Sequence, residues 1–111
     1  MLLFIFIVEV AKAVTGIRVL GTGPRSLRIQ WKKFTERSTT RKIVGYMITY
    51  YDPQNRRRMT YVYGHNKTYT ELRQLKIWTR YCVYISTVNE RGVGLAAPMV
   101  CNRTFQDGRV N

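Results

Sequence analysis

A chain of 111 residues holds one hydrophobic core and leaves no room for a second domain. Hydrophobic residues make up 45% of it and are spread along its length, which excludes a disordered segment. The 19 Lys and Arg against 6 Asp and Glu give a formal charge of +13. That field favours polyanionic partners such as nucleic acid, anionic glycans or acidic membrane surfaces, and basic residues that only solvate strand exteriors give the same balance.

Residues 1–13, MLLFIFIVEVAKA, form an apolar leader. The run Leu2–Val8 is too short to span a bilayer. It has the look of a signal-peptide h-region, with Ala11 and Ala13 spaced as in a small-x-small cleavage site, although Glu9 follows directly and no basic residues precede it. The leader is read as a signal-peptide remnant; the alternative is an extension of the first strand.

From there the chain shows period-two alternation in short segments. Gly16–Leu20 is the first strand. In the second, Leu27, Ile29 and Trp31 alternate with Arg28, Gln30 and Lys32. The segment from Ile43 through Tyr46 and Ile48 to Tyr50 is the third, closed by the turn Asp52-Pro53-Gln54-Asn55. Arg58 to Tyr63 is the fourth, ended by Gly64-His65-Asn66. Thr70, Leu72 and Leu75 belong to the fifth. Tyr81, Val83, Ile85 and Thr87 form the sixth, and the glycine-bearing loop Asn89–Gly94 leads to a seventh from Pro98 to Thr104. No segment has a helical period. Seven short strands predict an all-β, seven-stranded Greek-key sandwich of immunoglobulin-like type.

Over residues 14–106 the chain resembles a fibronectin type III domain, with 107–111 left as a linker or tail. Ile17, Val19 and Trp31 look like the first strand and buried tryptophan of that family. Ile43-x-x-Tyr46-x-Ile48-x-Tyr50 resembles its third strand, and Leu75-Lys-Ile-Trp-Thr-Arg-Tyr81 its L-x-P-x-T-x-Y signature, with Ile77 in place of proline. Tyr81-x-Val83-x-Ile85-x-Thr87-x-Asn89, then Gly92 and Gly94, is similar to its sixth strand and the loop after it. Trp31, Tyr46, Leu75 and Tyr81 are expected in the core. Tyr81 is expected to bury its ring while its hydroxyl bonds backbone upstream.

Nothing in the chain has the pattern of a catalyst. The acids Glu9, Glu36, Asp52, Glu71, Glu90 and Asp107 are scattered, and His65 is the single histidine. With two cysteines outside CxxC spacing, neither a metal site nor a cofactor is expected.

Binding is where the residues point. Arg56, Arg57 and Arg58 form a run beside the third turn and are expected near Lys32, Lys33, Arg41 and Lys42 in neighbouring loops and strand ends. Guanidinium forks suit sulfate and phosphate. The family resemblance implies heparan sulfate as the partner of such a patch. Nucleic acid is disfavoured because the aromatics alternate inward and leave no stacking platform. Met47, Tyr51 and Tyr84 should point outward as a protein-interface face. Two sequons offer Asn66 and Asn102 as glycan acceptors, Asn102 within a strand.

These features define a non-catalytic extracellular binding or adhesion module, one repeat of a larger adhesion protein or receptor. Its expected partners are extracellular proteins, neighbouring repeats and heparan sulfate, with the membrane reached only through another part of the full-length protein. The alternatives are an intracellular structural module and a nucleic-acid-binding domain. The cysteines bear on the choice. If the last hairpin turns near Arg91 and Gly92, Cys82 lies nine residues before Arg91 and Cys101 nine after Gly92, opposite one another on adjacent strands. A bridge is then expected in an oxidising compartment. A bulge near Asn102 would slip the register and leave two free thiols.

Overall fold

The computed structural model describes residues 13–34 and 42–106. The leader up to residue 12, Arg41 and the tail from residue 107 lie outside the described residues. Among the described residues eight strands form two sheets: β1 (Arg18–Gly23), β2 (Ser26–Gln30), β3 (Ile43–Tyr51), β4 (Arg57–Tyr63), β5 (Tyr69–Leu72), β6 (Arg80–Asn89), β7 (Gly92–Ala96) and β8 (Val100–Arg103). One sheet has the order β1-β2-β5; the other runs β4-β3-β6-β7, with β8 also paired to β6. This is the all-β sandwich the alternation predicts.

The core is the set of inward positions. Leu27 and Ile29 of β2 and Tyr46 and Ile48 of β3 are buried, as are Val83 and Ile85 of β6. Trp31 fills the centre, its ring centroid 5.1 Å from that of Tyr46. Tyr46 in turn donates its hydroxyl to the His65 carbonyl at 2.7 Å. Burial pushes the Tyr46 phenol above its ordinary pKa, with Trp31 beside it acting the other way.

Three expectations need correction. The fifth strand ends at Leu72, so Leu75 is not in it; Leu75 lies in the crossing between β5 and β6, buried, with its N–H donating to Arg25 O at 3.0 Å. The first strand begins at Arg18 and not at Gly16. The seventh strand is two. Asn89 pairs with Gly92 around a two-residue turn at Glu90 and Arg91, so the expected glycine loop is a tight hairpin continuing as β7. Asn89 Oδ1 accepts the Arg91 N–H at 2.8 Å, and Gly92 has φ 131°, a region that suits glycine. Pro98 lacks an N–H to donate, and the ladder resumes only at Val100.

This break matters for the cysteines. The turn is centred one residue earlier than expected, but an irregularity between Ser86 and Val88 and the interruption after Ala96 shift the pairing back. Cys82 therefore faces Cys101, and the two form a disulfide with Cα atoms 4.0 Å apart.

The crossing from residue 73 to 79 is tied down by two hydroxyls. Tyr81 Oη accepts the Lys76 N–H at 2.9 Å. Thr104, 1% exposed, donates its hydroxyl to Lys76 O at 2.7 Å and accepts the Thr79 N–H at 2.9 Å. Nothing in the alternation singles out Thr104, because its value is a hydrogen bond and not apolar burial.

Replacing Trp31 with Ala should cost about 3–5 kcal/mol in urea unfolding, the usual loss for a buried large aromatic; a midpoint close to the parent's would contradict its central place. A Cys82→Ser, Cys101→Ser double variant should lose roughly 3 kcal/mol, as expected for a closed loop of this length.

Candidate functional site

The β3–β4 turn begins at Asp52. Its carboxylate accepts the N–H of Gln54 at 2.9 Å and of Arg56 at 3.0 Å, closing the turn against its own backbone. It also pairs with Arg56 Nε at 2.8 Å. Asn55 completes the turn at φ 60°, a conformation asparagine tolerates. The chain then enters β4 with Arg57 opposite Tyr51 and Arg58 opposite Tyr50. By strand parity Arg58 lies on the Tyr50 side, toward the facing sheet, and Arg57 on the outer side.

Across from this turn runs the 73–79 crossing that Tyr81 and Thr104 hold. Between them lies a cleft of about 340 Å³, with Tyr50 and Tyr81 as its floor, Arg56, Arg57, Arg58 and Asp52 on one wall, and Gln74 and Lys76 on the other. The two floor rings meet edge to face at 6.3 Å. Among the described residues the ion pairs are Arg56–Asp52 and Arg73–Glu71. Arg58 and Lys76 thus face the cleft without a carboxylate partner, and Arg57 stands at its rim on the outer side. Guanidinium forks and an ammonium together suit an anionic group such as sulfate or phosphate.

The other predicted cations do not join this site. Lys42 precedes β3 and Arg57 pairs with its last residue, so the nine residues of β3 lie between them, about 25–30 Å. Lys32 follows β2 at that far end, with its stem packed over Gly16. The single patch expected from the sequence is therefore two: Arg56–Arg58 with Lys76 at one end, and Lys32, Lys33 and Lys42 at the other. The sequence reading missed Lys76, Gln74 and the floor tyrosines. A fixed corner at Tyr81 was the available signal, since it determines where Lys76 stands.

The outer face of the larger sheet carries Met47, Tyr51 and Tyr84, all half-buried. Tyr51 and Tyr84 have ring centroids 6.2 Å apart, and the hydrogen bond that the Tyr51 hydroxyl makes to Tyr84 raises the Tyr51 phenol, with Arg57 opposing. Beyond them, Met59, Tyr61, Tyr63, Val93 and Leu95 are exposed. Of the two sequons, Asn66 is exposed in the β4–β5 turn. Asn102 spends its Nδ2 on Val19 O at 2.6 Å and has the buried Thr104 as its sequon threonine, so it fits an acceptor role poorly in the folded domain.

With this geometry in place, comparison with known proteins is decisive for the family. The family model of the fibronectin type III domain matches residues 12–100, and the chain belongs to that family. No curated protein sequence matches it. Among solved structures, the FN1-FN3 domains of chicken CNTN1 superpose with a TM-score of 0.76 at 23% identity, covering 86% of this chain and 33% of that one. The chain thus spans a third of that three-domain structure. The third fibronectin III domain of human KIAA0343 protein gives a TM-score of 0.78 at 21% identity, covering 89% and 85%. A two-domain segment of chicken tenascin gives 0.72 at 17% identity, covering 84% and 49%.

Hydrogen bonds from the backbone and side chain of Arg56 and the backbone of Gln54 hold the Asp52 carboxyl below its ordinary 3.8, against the smaller opposing effect of burial. A depressed folded value means the carboxylate orders the turn above pH 3.8, and that contribution is lost as pH falls below it. The Asp52 ¹³Cγ resonance should titrate below 3.8, with the Gln54 and Arg56 amide shifts following it. A midpoint at or above 3.8 would mean that the turn is not closed this way.

Proposed function

We propose that this domain is a non-catalytic binding module of a larger extracellular adhesion protein or receptor, and that it holds a sulfated glycan of the heparan type in the arginine-lined cleft. The observation that carries this reading is the pair of cations Arg58 and Lys76, brought together from two separate segments over Tyr50 and Tyr81, with Arg57 at the rim. The sulfates of such a glycan take the guanidinium forks and the ammonium of the cleft. The volume is within the ~300–1,000 Å³ of ordinary small-ligand sites.

The Cys82–Cys101 disulfide supports an oxidising compartment over the intracellular structural alternative. The nucleic-acid reading is weaker here, because Tyr50 and Tyr81 are buried to 8% and 5% exposure and offer no open stacking surface. The exposed Asn66 sequon fits the same extracellular setting. Neighbouring repeats and extracellular proteins remain the protein partners this reading implies.

Binding to immobilised heparin tests it. The Arg57→Ala, Arg58→Ala, Lys76→Ala variant should elute at clearly lower salt than the parent, because each lost cation lowers the number of counterions released. The matched Lys32→Ala, Lys33→Ala, Lys42→Ala variant removes the same charge from the other end and should elute between the two. Equal elution of both triple variants would reduce the effect to net charge and remove the cleft from the account.

A further inference from the structure

We infer that the free edge of β4 is a self-association surface, on which a second copy of this chain adds its own β4 antiparallel to form one continuous sheet across two domains. Among the described residues β4 stands at the end of its sheet and pairs only with β3. Its ladder to β3 runs through seven consecutive residues without a bulge. Among the described residues no backbone hydrogen bond from 57–63 reaches any other segment. The outer side chains of this edge are large and exposed, with Met59 at 57%, Tyr61 at 41% and Tyr63 at 78%. Sheet edges are ordinarily protected by proline, bulges, a central lysine or a covering loop. β4 has none of these within it, and its charge is confined to its first two residues.

The sequence of β4 is complementary to itself in one register. Residues directly opposed in an antiparallel pair share a face, so a two-fold axis must place a residue against its own counterpart. Only an axis at Thr60 engages all seven residues of Arg57–Tyr63. Thr60 then meets Thr60 of the second copy, Met59 meets Tyr61, and Arg57 meets Tyr63. Methionine sulfur on an aromatic ring and a guanidinium on a tyrosine face are both favourable contacts. No arginine opposes another. The nearest arginines, Arg58 and its symmetry mate, are four residues apart along the strand, about 13 Å, which exceeds the ~8 Å screening length at physiological salt. The arginines of β4 itself therefore do not oppose the pairing. Adjacent strands set one beyond another along Tyr61 and Tyr63 also extend the exposed aromatic face, whose rings are 6.3 Å apart within one copy.

The inference is independent of the glycan reading and is tested without glycan present. Sedimentation of the 111-residue chain should show the mass of a dimer rising with concentration, and Tyr61→Lys should keep it monomeric with an unchanged circular dichroism spectrum. Register is tested with single added cysteines under mild oxidation. Thr60→Cys should give a reductant-labile covalent dimer, because the axis brings the two substituted positions face to face. Met59→Cys, opposed by Tyr61, should cross-link far more slowly. A monomer up to millimolar concentration, or equal cross-linking of the two cysteine variants, would overturn the pairing.

Discussion

Two hydroxyl groups at the bottom of the sandwich hold the rest of this domain in place. The crossing between β5 and β6 belongs to neither sheet, so its backbone polar groups need partners from elsewhere. Tyr81 Oη takes the Lys76 N–H, and Thr104 takes both Lys76 O and the Thr79 N–H. A buried hydrogen-bonding group left without its partner costs about 1–3 kcal/mol, so losing either hydroxyl loosens the corner and the strand end it joins. Trp78 shows how firmly the corner is fixed. It adopts φ 49° with its N–H donating to Phe105 O at 2.8 Å and the Arg103 guanidinium 4.7 Å above its ring.

The same corner is the reason a cleft exists at all. β4 and β5 are the facing edges of two sheets that do not pair, and the gap between them is open at this end. Because the corner is rigid, Lys76 stands at a fixed place opposite Arg57 and Arg58, and the two tyrosines that hold the core also form the floor. The site is thus assembled from scaffold residues with few moving parts. The cost of holding like charges together is moderated by Asp52, which pairs with Arg56 and organises the turn that carries the others.

Much of the fold was legible because each sheet is half-buried and its strands alternate with period two. Leu27, Ile29 and Trp31 or Tyr81, Val83 and Ile85 announce their inward faces directly. Leu75 deceived that reading, since an apolar residue after Thr70 and Leu72 continues the pattern although the chain has already left the sheet. The divided last strand was hidden in the same way: alternation carries no record of where Pro98 interrupts pairing. The disulfide register was reached through two displacements that cancel, an earlier turn and a later slip. The grouping of arginines with the distant lysines failed for a different reason. Loops adjacent in sequence alternate between the two ends of a sandwich, so Lys42 and Arg57, at opposite ends of β3, cannot share a patch. Lys76 was invisible as a site residue until the corner gave it a position.

That spatial argument is most directly examined by mapping where a sulfated ligand touches the domain. A size-defined heparin oligosaccharide titrated into ¹⁵N-labelled protein should shift the amides of Arg56, Arg57, Arg58, Gln74 and Lys76 together, in one saturable process, while Lys32, Lys33 and Lys42 stay close to their starting positions. Shifts concentrated at Lys32, Lys33 and Lys42, or spread evenly over every basic surface of the domain, would contradict the claim that the corner builds the binding site.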